Sequence, residues 1–338
     1  MTTNYILESW PLRARRDSAI TMLQSTKTAA EVDEIRFKMP DEMTLGPPTL
    51  RVRDLQSTLE FYEKDLGLKV QHRFRDPTDS LDLVQLGSQN SPNTILFLKH
   101  DPNAKRTLHN FAGLYHYAVL VPDRKSLAST YLGIGNRGVV YEGFADHGFS
   151  EALYLHDNEG NGIEIYADRP RDVWPQWNQM ISALRAGDPH ALEAMQRPLD
   201  LESLIRELGS DDRARPSSFP VGAQIGHMHL RVTNLERSVK FYHEKLGFNV
   251  GAYLPEIGAA FLTAAGYHHR LGLNTWHSLN GRTHEKGEAG LENFLLHLPN
   301  RTAIAEIGEQ LKGSVSKIGD SQISVVDPDG IQIVIRAG

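Results

Sequence analysis

Apolar and polar positions along this chain fall into a pattern that recurs. Thr49 to Val70 reads TLRVRDLQSTLEFYEKDLGLKV, and His229 to Val250 reads HLRVTNLERSVKFYHEKLGFNV, at a constant offset of 229 − 49 = 180. Nine of these 22 positions are identical, which marks an internal duplication. In each copy a short apolar strand ends in Arg-Val, and Asp54 or Asn234 stands where a helix needs a cap. Leu55, Leu59 and Tyr62 then recur at helical spacing, and Gly67 or Gly247 stops the helix ahead of another strand.

A second pair of segments follows, GLYHYAVLVPDR at 113–124 and GLENFLLHLPNR at 290–301, offset by 290 − 113 = 177. Each leads into a helical stretch and closes with a turn and strand, DNEGNGIEIYADR from Asp157 and DPDGIQIVIRAG from Asp327. The pattern predicts an α+β protein of four βαβββ modules, with first strands beginning near Leu45, Leu114, Gln224 and Leu291. The expected boundaries are an N-terminal extension at 1–43, a first two-module domain at 44–169, a linker at 170–220 and a second two-module domain at 221–338. Within the linker, Leu199 to Leu208 has helical spacing; Ser18 to Met39 has looser helical spacing and suits a helix over a sheet edge.

Composition narrows the chemistry. With 338 residues, 40% apolar and 23% charged, the chain has material for two ordinary cores. A net charge of −6 without a basic stripe argues against nucleic acid as a partner. Met1 to Pro40 lacks the apolar run of a signal peptide and nothing later suits a membrane span, so a cytoplasmic protein is expected. The absence of cysteine suits a reducing compartment and removes thiolate ligands and nucleophiles, which turns attention to the 15 histidines.

Aligning the four modules exposes one chemical constellation. Five residues before the last apolar residue of each first strand stand His116, His227, Pro47 and Asn293. Four residues beyond the turn glycines Gly160 and Gly330 stand Glu164 and Val334. His116, His227 and Glu164 supply two imidazoles and a carboxylate, the ligand set that leaves open positions on an Fe(II)-class ion. Pro47, Asn293 and Val334 cannot rebuild it, so one working site and one degenerate site are expected.

The arrangement resembles the vicinal oxygen chelate superfamily (glyoxalases, bleomycin-resistance proteins and extradiol dioxygenases). More narrowly, it is similar to the type I extradiol dioxygenases of the catechol 2,3-dioxygenase kind. The signature of that group reads here as His147, GFSEA, Leu153-Tyr154, LH, Asp157-Asn158, Glu159, Gly160, NGI and Glu164. It departs at Asn158, where the family has proline, and at Ala145 before the histidine. The resemblance covers residues 44 to 338. It implies a mononuclear Fe(II) or Mn(II) ion on His116, Glu164 and His227, a catechol-like substrate with O2 as co-substrate, a ring-opened semialdehyde product and a homo-oligomer. His147 and Tyr154 would then hydrogen-bond the ring oxygens, and a histidine of the pair His268 and His269 would stabilise charge on dioxygen and shuttle a proton. Strand alternation would send those two to opposite faces, and His268 is favoured. Trp276, Phe149 and Tyr267 are candidate pocket walls.

In the best-known extradiol enzymes the site lies between modules three and four, whereas here the ligands fall in modules two and three. Module two is therefore expected against module three, and module one against four. Two rival functions share the fold: a metal-dependent lyase, isomerase or epimerase of the glyoxalase kind, and a non-catalytic binding or resistance protein. The first usually recruits a fourth ligand that Pro47, Asn293 and Val334 cannot supply, and the second commonly lacks the triad.

Overall fold

The computed structural model describes residues 37–106, 110–174, 179–180, 182–183, 191, 197–214, 218–319 and 321–338. Residues 1–36, most of the expected N-terminal extension, lie outside them, as does part of the 170–220 linker. Module one comprises β1 (Thr44–Leu45), β2 (Thr49–Val52), α1 (Leu55–Glu60), β3 (Lys69–Arg75), β4 (Asp82–Gly87) and β5 (Thr94–His100). Module two comprises β6 (Gly113–Leu120), α2 (Arg124–Asn136), β7 (Gly143–Asp146), β8 (Ser150–His156) and β9 (Gly162–Asp168). The linker contributes α3 (Leu201–Arg206) and α4 (Ser210–Ala214). Module three follows as β10 (Gln224–Arg231), α5 (Leu235–Lys240), β11 (Asn249–Leu254), β12 (Ala259–Thr263) and β13 (Leu271–Asn274). Module four has β14 (Gly290–Leu298), α6 (Arg301–Gln310), β15 (Val315–Gly319), β16 (Gln322–Val326) and β17 (Gln332–Ala337). No described helix is long and apolar enough to cross a membrane.

Cap chemistry starts each module's helix. Asp54, Asp123, Asn234 and Asn300 accept from the backbone N–H three residues on, satisfying donors that the first helical turn leaves free. In modules one and three the helix widens into a π turn over Phe61–Leu66 and Phe241–Lys245. Module one differs from expectation at its first strand. Pro47 and Pro48 have no N–H to donate to the ladder, so the strand starting at Leu45 is split into β1 and β2.

Two sheets result, in the orders β15-β16-β17-β14-β2-β5-β4-β3 and β11-β12-β13-β10-β6-β9-β8-β7, with β1 also pairing to β14. Module two thus shares a sheet with module three through antiparallel β6 and β10, and module one with module four through β2 and β14. Buried hydrogen bonds tie the sheets together in the other direction. Tyr62 of module one donates to Asp157 of module two at 2.9 Å, and Tyr242 of module three donates to Asp327 of module four at 2.8 Å. Both aspartates also accept backbone N–H groups from their own turns, so each locks a closing strand in place.

Candidate metal centre

The sheet of modules two and three aligns the ligand positions by register. Tyr154, Glu164, Ala118 and His227 are successive cross-strand partners on β8, β9, β6 and β10. Strands lie about 4.8 Å apart, so Glu164 and His227 start about 10 Å apart with only the Ala118 methyl between them. His116, two residues before Ala118 on β6, shares its face. The three long side chains therefore converge above a small one.

Glu164 Oε2 lies 3.0 Å from His116 Nε2 and 3.1 Å from His227 Nε2, and the ligand atoms of all three residues fall within 4.8 Å of one another. The exposures of His116, Glu164 and His227 are 7%, 3% and 2%, too little for water to satisfy these groups. His116 Nε2 has the distance but not the direction for a hydrogen bond to Glu164 and, among the described residues, has no other hydrogen-bond partner. Burial alone would raise the Glu164 pKa, but His227 and His116 hold it well below the usual carboxylate range. Burial also pushes His116 down, against the pull of Glu164. A carboxylate, neutral imidazole at His116 and an unspent nitrogen facing one point fit a divalent cation with mixed N/O preference.

The other expected residues surround this point. His147 Nε2 and the Tyr154 hydroxyl are 2.8 Å apart, and the Tyr154 ring is 5.7 Å from that of His116. Burial, then Glu164, raises the Tyr154 phenol well above its ordinary value. His268 and His269 do not alternate as strand residues would, because they lie in the turn between β12 and β13. Both are buried, and their Nδ1 atoms are 2.8 Å apart. The His269 ring is nearer to His227, at 4.3 Å against 6.2 Å for His268. His268 Nε2 instead meets Asp168 at 3.2 Å, and the same carboxylate accepts from Tyr267, whose hydroxyl meets that of Tyr166 at 2.7 Å. Burial lowers the His268 pKa to about 4 and holds His269 well below the ordinary imidazole value. Phe149 and Tyr267 pack on His268 at 4.3 and 4.0 Å, while Trp276 stands farther along, against Tyr115 and His229.

Sequence reasoning missed His229. It lies two residues after His227 on the same strand, so alternation alone places both on one face. Its ring meets that of His116 at 4.8 Å, its buried Nε2 has no hydrogen-bond partner among the described residues, and Gly272 lies beneath it. A Cβ at Gly272 would come within 2.9 Å of the imidazole, which only glycine avoids. His229 is not among the three residues whose ligand atoms converge.

The degenerate positions have the same register and different contents. On β14, Asn293 pairs with Thr49 as His116 pairs with His229, and Leu295 pairs with Val334 as Ala118 pairs with Glu164. A leucine fills the space that Ala118 leaves open.

A family model described as the glyoxalase/bleomycin resistance protein/dioxygenase superfamily matches residues 44–165 and 224–335. The chain is 32% identical to a catechol-2,3-dioxygenase of Bacillus subtilis (strain 168) over 291 residues, 85% of this chain and 95% of that one. A lactoylglutathione lyase of Neisseria meningitidis serogroup A is 30% identical over 132 residues, 38% of this chain and 94% of the lyase. Among solved structures, one from Bacillus subtilis, assigned provisionally as a dioxygenase, superposes with a TM-score of 0.61 at 12% identity, over 89% of this chain and 86% of that one. Glyoxalase I of Zea mays superposes at 0.51 and 18% identity, over 87% and 92% of the respective chains. Duplicated modules, crossed sheets and matched sequence together place this chain in the glyoxalase/bleomycin resistance protein/dioxygenase superfamily.

Proposed function

We propose that this protein is an extradiol ring-cleaving dioxygenase acting on a catechol-type diol, with His116, Glu164 and His227 as the ligands of an Fe(II) or Mn(II) ion. The observation that carries this reading is the convergence of two imidazoles and one carboxylate, buried and with a nitrogen unspent, beside a second set of proton-handling groups. The relative at 32% identity over most of both chains supports the same reaction class. When bound, the ion supplies positive charge for both vicinal oxygens and a template for the two reactants.

The protein's own residues do the rest. Tyr154 and His147, already hydrogen-bonded to each other, hold the diol oxygens, and the His147 imidazole takes up the proton released when a phenol binds as its anion. Across the site, burial keeps His268 and His269 neutral, so one can accept a proton while their short contact passes charge toward Asp168. His269, nearest His227, is the member placed to meet dioxygen, and His268 is the member that orients it. Phe149, Tyr267 and Trp174 pack around His268 and limit water beside the pair. The product is the ring-opened semialdehyde.

The test is anaerobic purification with metal analysis, followed by a panel of catechols and then air. One equivalent of iron or manganese with an oxygen-dependent yellow product is expected. Bound metal with no oxygen uptake on any diol would refute the dioxygenase and leave the glyoxalase-type lyase.

A further inference from the structure

The internal duplication provides a control for every residue of the working half, and one arginine stands out against its copy. Arg51 and Arg231 are equivalent, 231 − 51 = 180, as the last arginines of β2 and β10. Arg51 is fully neutralised: its Nε meets Glu292 at 2.8 Å and its Nη1 meets Asp101 at 2.6 Å. The cross-strand partner of Arg51 is Lys99, which meets Asp76 at 2.8 Å and Asp79 at 2.7 Å. That half has closed its own charge.

In the working half the acids are gone. The position of Glu292 becomes Tyr115, 292 − 177 = 115. The partner of Arg231 is Asn274 where Arg51 has Lys99, and two residues on, Trp276 replaces Asp101. Among the described residues Arg231 makes no ion pair; its guanidinium lies over the Phe111 ring at 4.5 Å, and its buried Nε has no acceptor. Asn274 is fully buried, its Oδ1 accepts from the Trp276 N–H, and its Nδ2 donor likewise has no acceptor. Two unsatisfied donors and a cation thus stand on paired strands with no carboxylate bound to them among the described residues, an arrangement that costs free energy until an acceptor arrives.

This patch adjoins the metal centre. Tyr115 packs on His116, His229 and Trp276 at 5.0 to 5.2 Å, and its phenol feels both Arg231 and Glu164. Arg231, Asn110, Trp276 and Ser278 line a cavity of about 500 Å³. Aromatic rings lead from His116 to a cation without an ion pair among the described residues.

We propose that Arg231 and Asn274 form an anion subsite, and that the aromatic diol carries a carboxylate on an arm that runs past Tyr115 and Trp276. The inference builds on the proposed reaction, since it names the substrate class for the same site. Arginine suits it, because its planar fork can grip a carboxylate through two donors while stacked on an aromatic face.

The experiment is anaerobic isothermal titration of the full metal-loaded chain with 3-phenylpropionate and with its neutral carboxamide, which share the arm and ring and lack the diol. Wild type is expected to bind the carboxylate at least tenfold more tightly than the amide, and Arg231→Gln to erase that preference. Should Arg231→Gln not fold, Asn274→Asp serves instead: it supplies Arg231 with the internal carboxylate that the other half already has, and should also erase the preference. Equal binding of acid and amide by wild type, or a preference that survives in both variants, overturns the subsite. Because neither ligand can be cleaved, a carboxylate preference supports the subsite even if no diol is turned over, and that failure would fall on the proposed reaction alone.

Discussion

Replacing Gly162 by alanine tests how closely the two strands that carry His116 and Glu164 must approach. A Cβ at position 162 would lie 2.0 Å from the backbone carbonyl oxygen of Tyr115 and 3.1 Å from the His116 Cβ. Carbon and oxygen settle at about 3.3 Å, so β6 and β9 would have to separate by about 1.3 Å, and backbone cannot swing aside as a side-chain tip can. The opening falls at the start of β9, next to the Tyr117–Ile163 and Ala118–Glu164 pairs that set the ligand register. Overpacking and a weakened ladder together cost about 3 kcal/mol, which lowers Tm by about 4 °C in a chain of this size. The His116–Glu164 spacing of 3.0 Å would open by a similar amount, well beyond the tolerance of about 0.2 Å for metal–ligand distances, and metal affinity should fall by about tenfold to 100-fold. Gly138→Ala is the control: its φ of +84° carries about 1 kcal/mol of backbone strain, but nothing lies within 4 Å of its added Cβ. Thermal melts and metal content after dialysis against a competing chelator read both effects. A Gly162→Ala protein with wild-type Tm and wild-type metal retention would refute the argument.

Glu164→Ala removes the only carboxylate of the converging set and should bring metal content to background, whereas His297→Ala, on the other sheet, should retain one equivalent; full metal in the first variant would sink the assignment. Ala118→Leu should fold, because Leu295 occupies the equivalent position of the other sheet, yet fill the gap between Glu164 and His227 and abolish metal binding; normal metal content would show that the ion sits elsewhere. Stability should also depend on pH through Asp327, whose buried carboxyl is pushed up to about 7. The folded protein keeps that proton while the unfolded chain releases it near 3.9, so the contribution is complete at low pH and disappears as pH rises to about 7. Between pH 5 and 8 wild type should lose up to about 3 kcal/mol that Asp327→Asn does not, and parallel urea midpoints for the two proteins would contradict this.

The sequence made the repeat legible because helix caps, stop glycines and the FY and Asp-turn motifs are local signals, and the duplication supplied each of them twice. Those motifs proved to be connected: Tyr62 and Tyr242 hydrogen-bond the turn aspartates Asp157 and Asp327. The convergence of His116, Glu164 and His227 was legible for the same reason, since aligned modules share register even when their residues differ. What stayed hidden depends on loops and on neighbours across strands. His268 and His269 looked like alternating strand residues, but β13 begins only at Leu271, and in the preceding turn the two rings meet. His229 gave a period-two signal with His227, yet its importance rests on Gly272 across the ladder, which no local pattern reveals. Pro47 was read as a missing ligand, and it also splits the first strand.

The two halves show how duplication can leave a converging His-Glu-His set in one sheet and none at the equivalent positions of the other without a change of fold. A βαβββ pair opens a concave face whose central position, 118 or 295, decides whether anything can sit there. In the sheet of modules one and four Leu295 fills the centre and Val334 replaces the carboxylate, while Arg51 and Lys99 meet Glu292, Asp76, Asp79 and Asp101. Buried cations there require those acids, because losing a partner costs about 3–5 kcal/mol, so the network resists erosion once formed. In the sheet of modules two and three the centre is alanine, and the acids that would close the charge are replaced by Tyr115 and Trp276. The sheet of modules two and three therefore holds several buried nitrogens short of partners among the described residues, including His116 Nε2 beside Glu164, His229 Nε2, and the Arg231 and Asn274 donors beyond Tyr115. Unpaired buried donors and acceptors cost free energy, and the Tyr62–Asp157 and Tyr242–Asp327 bonds join this sheet to one in which the Arg51 and Lys99 cations are paired.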